Sequence, residues 1–335
     1  AVTASPAAAL LTTRVIRERT ARVAQAVTAG RSSSFRIDRS RLPGAADLVA
    51  DVTRRRYPDL AIPFHSRWRH FEAGGLDRRA QLEQALAGRS DAERARAYVD
   101  LTVVSVLLDA GAGAAWGYDE PESGQRFTRS EGLGVATFRA FMRGDFSASP
   151  GDPLRADAVA LAAFDDERIR AIFAVTGRNP LVGVDGRAAL MRRLGGALTT
   201  QGATFAGRAR PGGLYDVLVA ARGGRVDADD LLSALLAGLA PVWPHGSTVE
   251  GVALGDTWRH PHAGGEGATA GWVPFHKLSQ WLAYSLLEPF AWSGITIRGQ
   301  DALTALPEYR NGGLLLDTGV LALRDPALAR VAHAV

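Results

Sequence analysis

The sequence predicts a mainly α protein with room for one small β-hairpin. Three observations carry that prediction. Apolar residues recur at three- and four-residue intervals through most of the chain, the spacing of helices with one buried face. Strand-like runs are short and scattered, and strands do not alternate with helices, which argues against a doubly wound parallel sheet. With 335 residues, 47% hydrophobic and 22% charged, the chain can fill a core and has a globular composition. The length suits one unit spanning 1–335, or two closely packed helical lobes of about 1–150 and 151–335.

Each element follows from local chemistry. Residues 8–28 form an amphipathic helix, and 32–42 are polar and irregular. Residues 43–55 form a second helix, ended by Tyr57-Pro58 and a loop to Pro63. A helix over 78–86 precedes a longer one over 90–108, where Ser90 caps and Glu93 completes a capping box. Residues 109–117 are small and loop-like. Ser130 caps a helix reaching Phe141. Residues 157–174 are helical, with a break near Asp165, Asp166 and Glu167. Helices follow over 186–197 and 227–239, the latter capped by Asp227 with Asp230 in its first turn. Residues 241–271 form a long Gly/Pro/His-rich stretch of the kind that tends to be functional or disordered. Residues 273–287 are helical, 301–306 begin a short element that 309–321 follow, and a helix over 325–334 ends the chain. Residues 214–219 and 295–297 are the strand candidates.

Composition excludes several functions. There is no cysteine, so disulfides, zinc ribbons, iron–sulfur clusters and thiol nucleophiles are ruled out. The formal charge is +4, and Lys277 is the sole lysine; the arginine excess reads as compositional bias. That charge suits an anionic small molecule and is too dispersed for a nucleic-acid face. Residues 1–11 are apolar and precede Arg14, Arg17 and Arg19, the reverse of a secretory signal. The longest apolar runs are broken at Asp109 or Pro241 before reaching about 20 residues, so no membrane span or membrane partner is expected. The expected location is the cytoplasm.

Five clusters carry chemistry. Residues 64–72 (FHSRWRHFE) interleave aromatics with cations: Trp68 and His65 could meet a planar group while Arg67 and Arg69 bind phosphate. A half-buried helix with paired arginines is the structural alternative. Asp109 ends an apolar helix before Gly111 and Gly113, either as a helix-end acceptor or lining a cavity; the run lacks the Gly-Lys-Ser/Thr ending of a phosphate loop. Glu131 lies in a first helical turn, where the macrodipole favours an acid, or serves a substrate. His260 and His262, with His245 and Glu266 nearby, lack a recognised metal-ligand spacing. The densest cluster joins Lys277, on one helix face with Gln280 and Trp281, to Glu308, Tyr309 and Arg310 before Asn311-Gly312-Gly313. A Glu308–Arg310 structural pair is the alternative there.

These motifs resemble a known family. RWRHFE at 67–72, SVLLDAGAGAAW at 105–116, SEGLGVATF at 130–138, FHKLSQWLAYSLLEP at 275–289 and PEYRNGGLLLDTGVL at 307–321 look like the uracil-catabolism family first named in yeasts and long filed as a domain of unknown function. The resemblance spans most of the chain. It implies a pathway in which uracil becomes its nucleotide, the ring is opened, and a ribosylurea-type compound is broken down beside partner enzymes. A more distant similarity is to the queuosine-nucleotide N-glycosidase family, with a Phe-x-Lys-x-x-Gln helix and a later Thr…(acid)-Tyr-Arg stretch. Here that order is Phe275, Lys277, Gln280, Thr304, Glu308, Tyr309 and Arg310. That resemblance implies a helical DNA-glycosylase-like architecture. The chain departs from it at Glu308, where that family has aspartate, and at Gly312-Gly313, where it has Pro-Gln.

The resemblance implies a metal-independent, cofactor-free N-glycosidase acting on a phosphorylated ribosyl compound, ribosylurea 5-phosphate. Glu308 would stabilise the oxocarbenium-like cation, and Tyr309 or Asp109 would contact ribose or protonate the leaving nitrogen. Lys277 and Arg310, with Arg67 or Arg69, would hold the phosphate; Glu131, Phe275 and Gln280 complete the binding set. A metal-dependent amidohydrolase using His65, His70, His260 and His262 is one rival. A non-catalytic nucleotide-binding subunit is another.

Overall fold

The computed structural model describes residues 5–243 and 246–331. Its helices in chain order are α1 Thr13–Thr28, α2 Leu42–Arg56, α3 Trp68–Phe71, α4 Arg78–Ala85, α5 Asp91–Leu107, α6 Arg129–Arg143, α7 Ala158–Ala162, α8 Asp166–Ile172, α9 Val184–Thr200, α10 Gly213–Arg222, α11 Ala228–Leu239, α12 Lys277–Trp292 and α13 Tyr309–Asp317. Strands occur among the described residues only as short pairs. The protein is mainly α.

The residues cluster into two units. The larger comprises Phe64–Asp256 and Leu278–Leu303; the smaller gathers Ala1–Pro63, Thr257–Lys277 and Thr304–Val335. In the larger unit α5 and α6 are buried along most of their lengths and form the centre. The Ser90 hydroxyl accepts from Glu93 N while the Glu93 carboxylate accepts from Ser90 N, the expected capping box. A short hairpin pairs Tyr118–Glu120 with Gln125–Phe127. Arg225–Asp227 pairs parallel with Thr296–Arg298, confirming a strand near 295–297.

Buried charge pins this core. Asp100, fully buried, accepts from Arg210, from Ala156 N and from Gly212 N. Glu120 takes Arg78 at 2.5 Å and Arg139 at 2.6 Å. Burial opposes its ionisation, but those two guanidinium hydrogen bonds and one from Ser123 prevail and hold its carboxyl down at about 2.

In the smaller unit α1 lies against the strand Trp272–Pro274, which pairs antiparallel with Thr257–Arg259. Phe35–Ile37 pairs with Leu321–Leu323, far apart in sequence.

Several expectations need correction. The helix over 8–28 is two elements, because Thr12 turns extended (φ −130°) between a 3₁₀ turn and α1 and caps the latter by accepting from Val15 N. The irregular 32–42 contains a strand. Residues 214–219 lie in α10, since a short apolar run fits either period. The helix expected from 273 starts at Lys277, because 272–274 are paired in a strand. Thr128, not Ser130, stands at the N-cap of α6. Asp227 is at the N-cap of α11 without a side-chain cap bond. Pro326–Arg330 is a 3₁₀ turn, and 332–334 lie outside the described residues.

Candidate active site

Each unit holds one group of the residues singled out from sequence. In the larger unit the centre is Arg67, fully buried at the N-cap of α3. Its Nε donates to Ser105 Oγ (2.7 Å), and Nη1 to Asp109 Oδ2 (3.0 Å) and Ser130 O (3.1 Å). Ser285 Oγ accepts from its backbone N–H. Burial lowers the Arg67 pKa and Asp109 opposes the shift. Nη1 also lies 3.3 Å from His70 Nδ1. Trp281 ties the group together, with its ring centroid 5.8 Å from the Arg67 guanidinium, 5.8 Å from the His70 ring and 6.1 Å from the His65 ring. Two donors here, Arg67 Nη2 and Trp281 Nε1, are buried without a hydrogen-bond partner.

Asp109 is thus a helix-end acceptor for a buried arginine. Arg187, which the sequence did not single out, shapes the loop after it. Its donors go to the carbonyls of Leu108, Ala110, Val182 and Gly183. Burial lowers its pKa to about 10, with Asp109 opposing. No sequence signal marks it, because its partners are backbone oxygens up to 79 positions away.

The other residues of 64–72 separate from this group. Trp68 is 1% exposed and packs edge-on to Phe71, Tyr98 and Trp292, so its ring serves the core and not a planar ligand. Arg69 is committed to Glu288 (2.7 Å) and Glu72 (3.0 Å). These residues border a cavity of about 480 Å³ with Arg79, whose guanidinium stacks 3.8 Å from the Trp292 ring. Glu131 is exposed in the first turn of α6.

In the smaller unit Lys277 Nζ meets Glu308 Oε2 at 2.8 Å. Glu308 is also the N-cap of α13, accepting from Arg310 N. Burial raises its pKa, but the Lys277 hydrogen bond and charge, with help from Arg310, outweigh it and leave the carboxyl below its ordinary value. Tyr309, 74% exposed, lies between two cations: the Lys277 ammonium is 6.0 Å from its ring and the Arg310 guanidinium 5.4 Å. Arg310 therefore approaches the phenol ring rather than forming the structural pair with Glu308. Phe275 and Thr304 border a cavity of about 320 Å³ with Ile16, Thr20 and Pro307. Gln280, three residues along α12 from Lys277, is fully buried in the larger unit.

His65 and His70 belong to the larger unit, His260 and His262 to the smaller. His262 N donates to His260 Nδ1, and His262 Nε2 lies 3.2 Å from Arg31 O. Burial, then His262, lowers the His260 pKa. Among the described residues no three His, Asp or Glu side chains form a metal-binding group. His245 lies outside the described residues. No helix among the described residues is long and apolar enough to cross a membrane.

The chain is thus a mainly α protein in which Lys277 pairs with Glu308 at the start of α13. The chain belongs to the family described as "Protein of unknown function (DUF1688)", which matches residues 9–335. It is 40% identical to Protein urg3 of Schizosaccharomyces pombe (strain 972 / ATCC 24843) over 324 residues, covering 95% of this chain and 77% of that protein. It is 38% identical to Uracil catabolism protein 4 of Lachancea kluyveri over 318 residues, covering 90% of this chain and 72% of that protein.

Proposed function

We propose that the chain is an enzyme of uracil catabolism that hydrolyses the N-glycosidic bond of a ring-opened uridine nucleotide. The substrate is ribosylurea 5-phosphate; with water it gives urea and ribose 5-phosphate. The observation that carries the reading is the 2.8 Å Lys277–Glu308 pair, which favours an ionised carboxylate next to the exposed phenol of Tyr309. The name of the Lachancea kluyveri relative supports the pathway, and the order Phe275, Lys277, Gln280, Thr304, Glu308, Tyr309, Arg310 supports the bond class.

As the bond from C1′ to the urea nitrogen lengthens, positive charge spreads over C1′ and the ring oxygen. An anionic carboxylate stabilises that charge and takes a proton from the incoming water. Glu308 suits this role because Lys277 favours its ionised form. The departing urea nitrogen takes up one proton, and Tyr309 is the neighbouring donor. Lys277 and Arg310 supply the positive charge for the 5′-phosphate, Lys277 while still paired with Glu308.

The test incubates EDTA-treated protein with enzymatically ring-opened UMP and follows urea and ribose 5-phosphate. Release by the wild type and loss of at least 100-fold in Glu308→Gln would support the reading. Turnover that returns only with a divalent metal would refute it, and so would binding without turnover.

A further inference from the structure

We propose that the cavity between α1 and the loop 264–266 binds a small phosphate ester, at a place distinct from the Lys277–Glu308 pair. The cavity holds about 320 Å³ and lies wholly within the smaller unit. α1 brings Arg14, Glu18, Arg19 and Arg22 to it. Arg14, Glu18 and Arg22 stand four residues apart and share one helix face, with Arg19 beside them. Ala9, Leu10 and Val15 supply an apolar wall for the rest of an ester.

The charge there is unbalanced. Glu18 serves all three arginines at once, 3.2 Å from Arg22 Nη2, 3.7 Å from Arg14 Nη1 and 4.0 Å from Arg19 Nε. Glu266 also borders the cavity, so three guanidiniums face two carboxylates and one positive charge is left over.

Arg19 is the least satisfied of the three. It is 7% exposed, and a guanidinium carries five N–H donors. Among the described residues it makes two hydrogen bonds, both long: Nη1 to Ala263 O at 3.4 Å and Nη2 to Thr269 Oγ1 at 3.5 Å. Its Nε is buried without a hydrogen-bond partner. A buried cation with unmet donors is costly, and an anion in the cavity supplies both the charge and the acceptors that Glu18 lacks.

The backbone is shaped to admit these guanidiniums. Gly264 and Gly265 both adopt positive φ, 70° and 93°. A Cβ on Gly264 would stand 2.7 Å from Arg22 Nη1, and one on Gly265 would collide with the Arg19 guanidinium. This gives the Gly/Pro/His-rich stretch a role that its histidines do not. Phosphate suits the site better than a carboxylate, because it offers up to two charges and three terminal oxygens to several guanidinium forks. The site is also separate from the cavity of Phe275 and Thr304. At about 100° per residue, Arg14, Glu18 and Arg22 fall on the face of α1 opposite Ile16 and Thr20, which border that other cavity.

The test titrates inorganic phosphate into the full chain by calorimetry. Saturable binding is expected, at least tenfold weaker in the double variant Arg14→Gln/Arg22→Gln. Those side chains are 75% and 51% exposed, so circular dichroism should not change. Glu18→Gln removes the competing carboxylate and should tighten binding, an opposite sign that a loss of folding cannot mimic. Lys277→Met should leave the affinity as it is. No saturation by about 10 mM phosphate would overturn the proposal. Binding that the double variant leaves intact, or that Lys277→Met abolishes, would overturn it too. Acetate binding as tightly as phosphate would overturn the choice of ligand.

Discussion

Glu308 shows what one side chain's surroundings do to its chemistry. Its carboxyl titrates below the ordinary value of 4.5 because the Lys277 interaction outweighs burial. The pair's contribution to stability is therefore complete above the usual glutamate range. It is lost as pH falls through the lowered folded-state value. Lys277→Met removes the main stabiliser of the anion, so the acid limb of the pH–rate profile should move to higher pH; an unmoved limb would count against Glu308 as the titrating group. Arg187→Met leaves the carbonyls of Leu108 and Ala110 without their donor and should lower Tm by several degrees, read by calorimetry. The sequence grouped Lys277, Glu308 and Tyr309 in one dense cluster, and the structure brings them together. The environment of Arg67 was only half legible. Its charge was visible, but its burial and its bonds to Ser105 and Asp109, 38 and 42 positions away, belong to tertiary packing.

Where the local signal was complete, at α5, the element was read correctly. The Ser90–Glu93 box and the long apolar run behind it specify α5 without help from the rest of the chain. Ser90→Ala should cost about 1 kcal/mol in denaturant unfolding. Periodicity failed where context decides. Residues 273 and 274 read as part of a helix until Thr257–Arg259 pairs with 272–274, and the helix then starts after His276, at positive φ (48°). Glycine marks another contact invisible to periodicity. A Cβ on Gly195 of α9 would lie 2.7 Å from Ala162 N and 2.8 Å from Ala158 O of α7. Gly195→Ala should thus destabilise by about 1–3 kcal/mol despite its better helix propensity, and a neutral result would show that the two helices can part.

At the scale of the molecule, the mainly α class was readable and the division was not. The smaller unit is assembled from three separated stretches, and no composition shift marks where the chain leaves and returns. Its strand Phe35–Ile37 depends on Leu321–Leu323 for its pairing. Arg324 adds bonds to Ser32 O and Gly30 O across nearly the whole chain. Ending the chain at Asp317 should expose that strand edge, lower Tm and promote aggregation, measured by light scattering during heating. An unchanged melt would mean the pairing adds little.

The pairing of Lys277 with Glu308 also makes the chain spectroscopically simple. Lys277 is its sole lysine, with a side chain 40% exposed. Reductive methylation with ¹³C-formaldehyde would therefore label one ε-amine besides the α-amine. The chemical shift of that methyl signal would report the ionisation of Glu308 directly, with no mutation and no substrate.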